Sequence, residues 1–403
     1  MYKLFVIGVA DEILSSAGQK VLTTCKHIFA TPRLQKIIFD PTAAIHNISP
    51  LQEQLQLIKS SLLRGNVGIL ASGDPLFYGI GKKLLLNFPA EKILFFPALT
   101  SIQRACALFK TSWDDAVVVS LHGRNSKHLP GLILQNQKTL LLTDNTNNPG
   151  TICKCLHDYL SLIDDAETAR AITVMVAEDI GLESQRLFSG SLLETVQETF
   201  SPLNVLYIEH RAVPKNPSII FGLTEDDIIH SRGLITKNEV RAATLHQLSL
   251  PDSGVVWDVG AGSGSISIEA GRSHPGLTIY AIEHKNEELS NIKANIRKFG
   301  CYNVIPVFGR APEILSELPA PDRIFVGGSS GTLPALTELA DNLLPADGRI
   351  VINGVIEKTI TEAPLLLRRH NFTVQTTTLS VTRTACSNKT LTFNPITITT
   401  GSR

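Results

Sequence analysis

The sequence predicts an α/β protein with more than one domain, and three observations support this fold class. The chain has 403 residues, too many for one ordinary domain. Hydrophobic residues make up 43% of it, enough to build substantial cores. Short runs rich in Val, Ile and Leu alternate with helical stretches in both halves, a pattern that favours largely parallel sheets covered by helices.

The first half begins with an expected strand at 3–10 and predicts one α/β domain over residues 1–212. Helices are expected at 51–64, 101–109 and 150–161. The other expected strands span 67–75, 92–98, 115–123, 139–144, 171–179 and 204–211.

The alternation breaks at 213–232, where prolines and polar residues without a clear period indicate a linker. A second domain follows at 233–403, and its predicted helix at 286–299 carries one apolar stripe. Threonine- and valine-rich stretches at 371–383 and 389–400 favour an antiparallel edge pair. Its parallel strands are expected at 255–259, 278–283, 303–308, 322–326 and 349–353.

Charge and composition exclude several classes of function. Lys plus Arg equals Asp plus Glu, at 37 each, so no overall field attracts nucleic acid or an anionic membrane. No apolar run approaches the ~18 residues of a membrane span, and the first residues predict a strand rather than a signal peptide. None of the six cysteines forms a CxxC pair. We therefore expect a cytoplasmic protein with free thiols and no bound metal.

A glycine-rich turn follows the strand at 255–259 and contains Gly260, Gly262 and Gly264. Glycines allow positive φ and let a ligand approach the bare backbone. The next strand ends at Glu283, whose carboxylate can accept both hydroxyls of a ribose. The spacing is not that of a dinucleotide site, and no Walker lysine follows. The pattern favours an adenosyl ligand without a pyrophosphate, such as S-adenosylmethionine, and Asp258 is expected to receive its ammonium group.

Two sets of stretches carry a resemblance to known families. In the second half, they are "GLITKNEVRA", "DVGAGSGSISIE", "YAIE", "GRAPE" and "PDRIFVGGSSG". These closely resemble the decarboxylating C15-methyltransferases of corrin biosynthesis. In the first half, "LASGDPLFYGIG", "PALTSIQRACALF", "VVSLHGR" and "LTDNTNNPGTI" are similar to the C5-methyltransferases. The order of the halves resembles the fused precorrin-6Y C5,15-methyltransferase (decarboxylating) family.

This resemblance implies a two-lobed tetrapyrrole-methylase domain, with lobes at about 1–112 and 113–212. A Rossmann-like class I S-adenosylmethionine methyltransferase domain with a mostly parallel seven-stranded sheet would follow. The implied reaction methylates a corrin precursor at C5 and C15 and decarboxylates its C12 acetate, taking precorrin-6B to precorrin-8X, or the cobalt-containing equivalents, in cobalamin biosynthesis. One S-adenosylmethionine per domain, a tetrapyrrole substrate and a homo-oligomer are also implied.

The resemblance also implies which residues contact the two cofactors. In the second domain they are Thr236, Gly260, Ala261, Gly262, Ser263, Gly264, Glu283 and Ala311. In the first domain they line a cleft between the lobes and are Gly73, Asp74, Pro75, Leu99, Thr100 and Ser101. The loop after the first strand departs from the family's GPG-like turn, because "GVADEILSSAG" keeps only Gly8.

The implied substrate carries many carboxylates, which local cations should bind, because the chain has no net charge. We expect these contacts at Lys237, Arg241 and Arg124, with Arg383 as a further candidate. His122 is a candidate substrate contact or proton shuttle. Each of them also fits an ordinary surface charge or a structural histidine, and we assign no catalytic base.

Two alternative functions stay open at this point. The N-terminal half also fits a binding or regulatory module beside an active C-terminal domain. An RNA or small-molecule methyltransferase fused to a separate α/β domain is the other alternative. The chain has "VGGSSG" where an "NPPY" catalytic motif would follow the fourth strand, and it lacks a basic face. Both observations count against a nucleic-acid substrate.

Overall fold

The described residues form three main sheets, of six, five and seven strands, and a separate two-stranded hairpin. The computed structural model describes residues 2–38, 42–121, 128–211, 221–231, 233, 235–328, 331–387 and 390–403. Within these ranges, no helix is both long enough and apolar enough to cross a bilayer. The six cysteines are free, and four of them are buried.

The first lobe is a mainly parallel sheet covered by helices. Its strands are β1 (Leu4–Ala10), β2 (Ile13–Leu14), β3 (Cys25–Ala30), β4 (Ala44–Asn47), β5 (Asn66–Ser72) and β6 (Ile93–Phe96). Its helices are α1 (Ser16–Leu22), α2 (Pro32–Gln35), α3 (Leu51–Ser61), α4 (Gly81–Asn87) and α5 (Ser101–Phe109). The strand order is β2-β1-β5-β3-β4, and β6 also pairs with β1. Only β2 pairs antiparallel, so the expected parallel sheet is present here.

The second lobe differs from the prediction, because most of its strands pair antiparallel. Its strands are β7 (Val117–Ser120), β8 (Lys138–Leu142), β9 (Ile172–Glu178), β10 (Arg186–Gly190) and β11 (Asn204–His210). Its helices are α6 (Leu129–Leu134), α7 (Pro149–Leu162), α8 (Ala166–Ala171) and α9 (Leu192–Gln197). The order is β10-β9-β11-β8-β7, and only β7 with β8 is parallel. A short connection joins β9 to β10, which allows only antiparallel pairing.

The C-terminal half is built around the seven-stranded sheet. Its strands are β12 (Gly254–Val259), β13 (Leu277–Glu283), β14 (Val304–Phe308), β15 (Arg323–Val326), β16 (Arg349–Gly354), β17 (Thr373–Leu379), β18 (Thr382–Thr384), β19 (Thr390–Thr392) and β20 (Ile396–Ser402). Its helices are α10 (Asn238–Leu248), α11 (Ser265–Ser273), α12 (Asn286–Phe299), α13 (Leu333–Leu343) and α14 (Glu357–Arg369).

This third sheet is mixed, with the order β14-β13-β12-β15-β16-β20-β17. Strands β12 to β16 pair in parallel, whereas β20 is antiparallel to both β16 and β17. The two threonine-rich stretches therefore do form an antiparallel pair. This pair lies at the edge of the sheet, as expected, with β17 outermost and β20 between β17 and β16. Strands β18 and β19, which lie between β17 and β20 in the sequence, form the separate hairpin.

The second lobe and the C-terminal half share one hydrophobic core. Side chains of α7 pack in the same buried cluster as those of α11, α12 and β14. Tyr159 donates its hydroxyl to the Val304 carbonyl (2.7 Å), and His128 donates its ring Nε2–H to the Tyr302 carbonyl (2.7 Å). In the expected linker, residues 221–231 are described, and Leu223 is buried in this core. Buried contacts therefore fix the second lobe against the C-terminal half.

We expect the Tyr159→Phe substitution to lower the free energy of unfolding by about 1–2 kcal/mol, because it leaves a buried carbonyl without its donor. Urea unfolding of the full chain, followed by circular dichroism, measures the change. The exposed Tyr2 supplies the matched control, and Tyr2→Phe should leave the midpoint unchanged. Equal stability of the Tyr159→Phe variant and the native chain would contradict the importance of this contact.

Candidate functional site

Two candidate sites lie where the carboxyl ends of parallel strands meet. In the third sheet, β12 leads into the turn at 260–264, and its neighbour β13 ends at Glu283. In the first lobe, the segments after β1, β3, β5 and β6 line one cavity between the two lobes. Ligands of open α/β sheets commonly bind at this edge, because the connecting loops expose backbone groups there.

The glycine turn after β12 is fixed by backbone hydrogen bonds. The N–H groups of Gly260 and Ala261 both donate to the Ile282 carbonyl (3.0 Å each). A Cβ on Gly260 would lie 2.8 Å from the carbonyl oxygen and 2.9 Å from the nitrogen of Gly328, so a side chain there would displace the neighbouring loop. Gly262 has a φ of +56°, and apart from its chain neighbours no atom of the described residues lies within 4 Å of the position its Cβ would take. The turn therefore presents bare backbone to open space.

Glu283 is buried at the end of β13 and is held by backbone donors. Its Oε2 accepts the N–H of Gly262 (3.0 Å), and its Oε1 accepts those of His284 (2.8 Å) and Lys285 (2.9 Å). A carboxylate offers about four acceptor positions, so capacity remains on this group for a ligand hydroxyl. The structure thus brings together the turn and the acid that were both identified in the sequence.

Asp258 lies below the turn and is 1% exposed. Its Oδ2 accepts from Ser267, from the N–H (3.2 Å) and from the hydroxyl (2.6 Å). Its Oδ1 is buried and has no hydrogen-bond partner among the described residues. The pKa of Asp258 is raised to about 7, chiefly by burial and to a smaller extent by the charge of Glu283, while the hydrogen bonds from Ser267 act in the opposite direction. The orphaned oxygen, the open turn and Glu283 together fit an adenosyl ligand with an ammonium group.

Three other predicted cofactor contacts of this domain are partly or fully buried. Thr236 precedes α10, and its carbonyl accepts a hydrogen bond from Arg241 Nη1 (3.0 Å). Ser263 is buried, and its carbonyl accepts from the Asn295 side chain (2.9 Å). Ala311 is partly buried against the apolar cluster beneath β12 and β15. Their contacts with a cofactor stay predictions.

The structure corrects the prediction that Arg241 binds substrate. Arg241 is 1% exposed and forms an ion pair with Glu269, which is equally buried. Its remaining donors contact the carbonyls of Leu223 and Thr236 and the side chain of Asn238. The guanidinium therefore joins α10, α11 and the segment before α10 inside the domain. Its partner lies 28 residues away in the sequence, so the local pattern could not reveal the pair.

Lys237 and Arg383 are also paired with acids. Lys237 Nζ lies 2.6 Å from Glu225 Oε2. Arg383 Nη2 lies 2.7 Å from Glu225 Oε1 and 2.7 Å from Glu239 Oε2. Both cations also lie over the ring of Phe393. Substrate binding by Lys237 stays a prediction, and it would require a substrate carboxylate to replace Glu225.

A cavity of about 450 Å³ lies between the two lobes of the N-terminal half. The predicted residues that line it are Gly73, Asp74, Leu99, Thr100 and Ser101. Pro75 is buried and does not line it, and its carbonyl accepts the N–H of Gly81 (2.8 Å). The predicted substrate contacts His122 and Arg124 lie outside the described residues.

Local sequence determines two walls of this cavity. Thr100 and Gln103 form a capping box, each side chain accepting from the other's backbone N–H, so α5 begins directly beside the cavity. A Cβ on Gly8 would overlap the Gly73 carbonyl, which explains why the first loop keeps this glycine. The loop after β5 can therefore pack closely against β1.

Besides the predicted Asp74, the cavity is lined by charged residues to which no role was assigned from the sequence. Asp11 and Glu12 follow β1, Arg33 follows β3, and Arg104 lies in the first turns of α5. Arg33 could have been found from its position after a strand, but β3 itself was not predicted. Within the described ranges, no group of three or more His, Cys, Asp or Glu side chains is placed to hold a metal ion.

We expect the raised pKa of Asp258 to make stability depend on pH. In the unfolded chain an aspartate has a pKa near 3.9, so between about pH 4 and 7 only the folded state holds this proton. The stabilisation from this group is complete below pH 4 and is lost as the pH rises through 7. Asp258→Asn removes this loss. The free energy of unfolding of Asp258→Asn minus that of the native chain should therefore be about 3 kcal/mol larger at pH 8 than at pH 5.

Urea unfolding of both proteins at the two pH values measures this difference. Asp252→Asn replaces an exposed aspartate just before the same strand, and it should show no such gain. A gain by Asp258→Asn that is the same at pH 5 and pH 8 would contradict the assignment of the titration to Asp258.

Two family models match the chain. The first, described as tetrapyrrole (corrin/porphyrin) methylases, matches residues 5–195. The second, described as a precorrin methyltransferase domain, matches residues 227–400. The two matches coincide with the two-lobed half and with the half that contains the seven-stranded sheet.

Curated relatives match both halves at once. A precorrin-6Y C(5,15)-methyltransferase [decarboxylating] of Sinorhizobium sp. is 31% identical, covering 90% of this chain and 86% of the relative. One of Mycobacterium tuberculosis is 29% identical, covering 87% of each chain. A crystal structure titled precorrin-6Y C5,15-methyltransferase from Geobacter metallireducens is 39% identical, covers 46% of this chain and 97% of that chain, and has a TM-score of 0.45. The chain belongs to the precorrin-6Y C5,15-methyltransferase (decarboxylating) family of cobalamin biosynthesis.

Proposed function

We propose that each half binds one S-adenosylmethionine and transfers one methyl group to a tetrapyrrole. The cleft between the lobes would serve C5, and the glycine-turn site would serve C15 with loss of the C12 acetate carboxyl group. The observation that carries this proposal is the presence of separate candidate sites on two different sheets, a cavity of about 450 Å³ between the lobes and an open glycine turn beside Glu283. Each site lies at the carboxyl ends of parallel strands, and each is lined by residues from several loops.

In the glycine-turn site, the cofactor supplies an activated methyl group and the chain supplies position. Gly262 leaves room for the ligand beside the backbone, and Glu283 is held by three N–H groups with capacity left for a ribose hydroxyl. Asp258 Oδ1 would accept the ammonium group, which would also stabilise the ionised carboxylate. Such a site works by holding the reactants in line and excluding water.

Loss of CO2 from the C12 acetate breaks a C–C bond, and the side-chain carbon left behind takes up one proton to become a methyl group. A carboxylate that enters a poorly hydrated pocket loses stabilisation that the neutral CO2 product does not need. The electron pair of the broken bond is delocalised into the conjugated macrocycle until that proton is added. The chain's contribution is then to bury the reacting acetate near the glycine turn.

We expect the full chain to bind two equivalents of S-adenosylhomocysteine, the demethylated product. Isothermal titration calorimetry of the purified protein measures the stoichiometry, and inactive protein is corrected for by a fluorescence assay of the folded fraction. One equivalent would contradict the proposal of a donor site in each half. In that case the N-terminal half would better fit a binding or regulatory module.

We expect Glu283→Ala to reduce C15 methylation at least tenfold, because it removes a charged acceptor for the donor ribose. C5 methylation should change by less than about twofold. Mass spectrometry of the products from an unmethylated precursor separates the two reactions. Glu317→Ala, which replaces an exposed glutamate of the same domain, is the control and should affect neither. Equal loss of both methylations would argue against independent sites.

A further inference from the structure

The cleft between the lobes contains two guanidinium groups that the proposed function leaves without a role. Arg33 lies after β3 on the cavity wall, and its Nη2 donates to the Ser72 hydroxyl (2.7 Å). Arg104 lies on α5, close to Thr100 and Ser101, and its side chain is 17% exposed. Two fixed positive groups in one cavity provide a site for more than one acidic group.

Arg104 is paired with Asp11, and this pair lies where the two lobes meet. Asp11 comes from the first lobe, and a Cβ on Gly181 of the second lobe would overlap both side chains. The Asp11 side chain is 46% exposed. Ion pairs with one partner this exposed stabilise proteins little, so another carboxylate can replace Asp11 at small cost. Asp11 thus holds Arg104 in place without making it unavailable.

The number of carboxylates on each ligand indicates which ligand of the cleft the two arginines bind. S-adenosylmethionine carries one carboxylate, whereas the cavity presents two guanidinium groups. The cavity also contains Glu12, Asp74 and Asp179, which can serve the ammonium group of the donor. At least one arginine is therefore available to the second ligand, and a substrate of a decarboxylating enzyme is a carboxylic acid. Arg33, exposed at the rim, is placed to meet a large ligand that enters from solvent.

We propose that Arg33 and Arg104 bind carboxylate side chains of the tetrapyrrole in the N-terminal cleft. Asp11 keeps Arg104 oriented until a substrate carboxylate replaces it. This inference rests on the proposed function, since it concerns the acceptor of the C5 reaction. In this proposal, the positive charge that binds substrate comes from Arg33 and Arg104 in the cleft and not from Arg241 in the C-terminal domain.

The first test compares Arg33→Gln and Arg104→Gln with the native chain. Each variant should raise the KM for the tetrapyrrole in C5 methylation about tenfold, because a charge-assisted hydrogen bond is lost. The kcat should change less than threefold, and C15 methylation should not change. Arg64→Gln, which replaces an exposed arginine after α3 outside the cavity, is the matched control and should leave the KM unchanged.

The Asp11→Asn variant should change the KM for the tetrapyrrole in the opposite direction. It frees Arg104 and removes a negative charge from the cavity, so the KM for the tetrapyrrole in C5 methylation should fall severalfold. In the double variant Asp11→Asn, Arg104→Gln, this fall should disappear. A higher KM for Asp11→Asn alone would overturn the role given to Asp11 and Arg104.

Measuring donor binding shows whether the arginines bind the carboxylate of the methyl donor or the carboxylates of the tetrapyrrole. Calorimetry with S-adenosylhomocysteine, which has a carboxylate, and with methylthioadenosine, which has none, should give the native affinities in both arginine variants. Weaker binding of S-adenosylhomocysteine alone would assign the arginine to the donor and overturn the inference. An unchanged tetrapyrrole KM in both variants would also overturn it. C5 methylation by the native chain tests the proposed function separately.

Discussion

The parallel pairing of strands is the constraint on which both candidate sites depend. It brings the ends of neighbouring strands to one edge, where loops far apart in the sequence become neighbours. In the third sheet this places Glu283 beside the turn at 260–264. In the first lobe it gathers Asp11, Arg33 and Gly73 around one cavity. The chemistry differs between the two sites, but the geometric origin is the same.

A second constraint is the buried surface shared by the second lobe and the C-terminal half. The Tyr159 hydroxyl and the His128 ring both satisfy carbonyl groups at the start of β14, inside an apolar cluster. A flexible tether alone would let the halves reorient, whereas a packed core of this kind does not. The segment at 221–231 adds to it by binding Glu269 and Asn295. The buried contacts therefore hold the second lobe and the C-terminal half in one arrangement.

Local signals predicted a large part of the structure. The helices at 101–109 and 286–299 were predicted to the residue, because a capping box or an apolar stripe marks them. The glycine turn and Glu283 were found because their spacing along the chain reflects one strand–helix–strand unit. A resemblance to known families identified the cleft residues around Gly73 and Thr100.

The errors came from contacts between distant segments. Arg241 has the same sequence context whether it faces a substrate or Glu269, and only the packing of α10 on α11 decides. Arg33 and Arg104 were not predicted as site residues because they line one cavity only after β3, α5 and the second lobe assemble. The second lobe was expected to be parallel because its strands alternate with helices. Such alternation does not by itself determine the direction in which the strands pair.

The interior position of β20 has a consequence for how this chain folds. Strand β17 pairs only with β20 within the described residues, although β18 and β19 are made between them. Strand β17 therefore has no strand to pair with while the β18–β19 hairpin is synthesised. Strand β20 must then pair with β17 on one side and with β16 on the other. Such a late closure depends on contacts between remote segments, which slows folding. Until β20 is in place, the edge of β16 lacks this pairing partner and can pair wrongly with another strand.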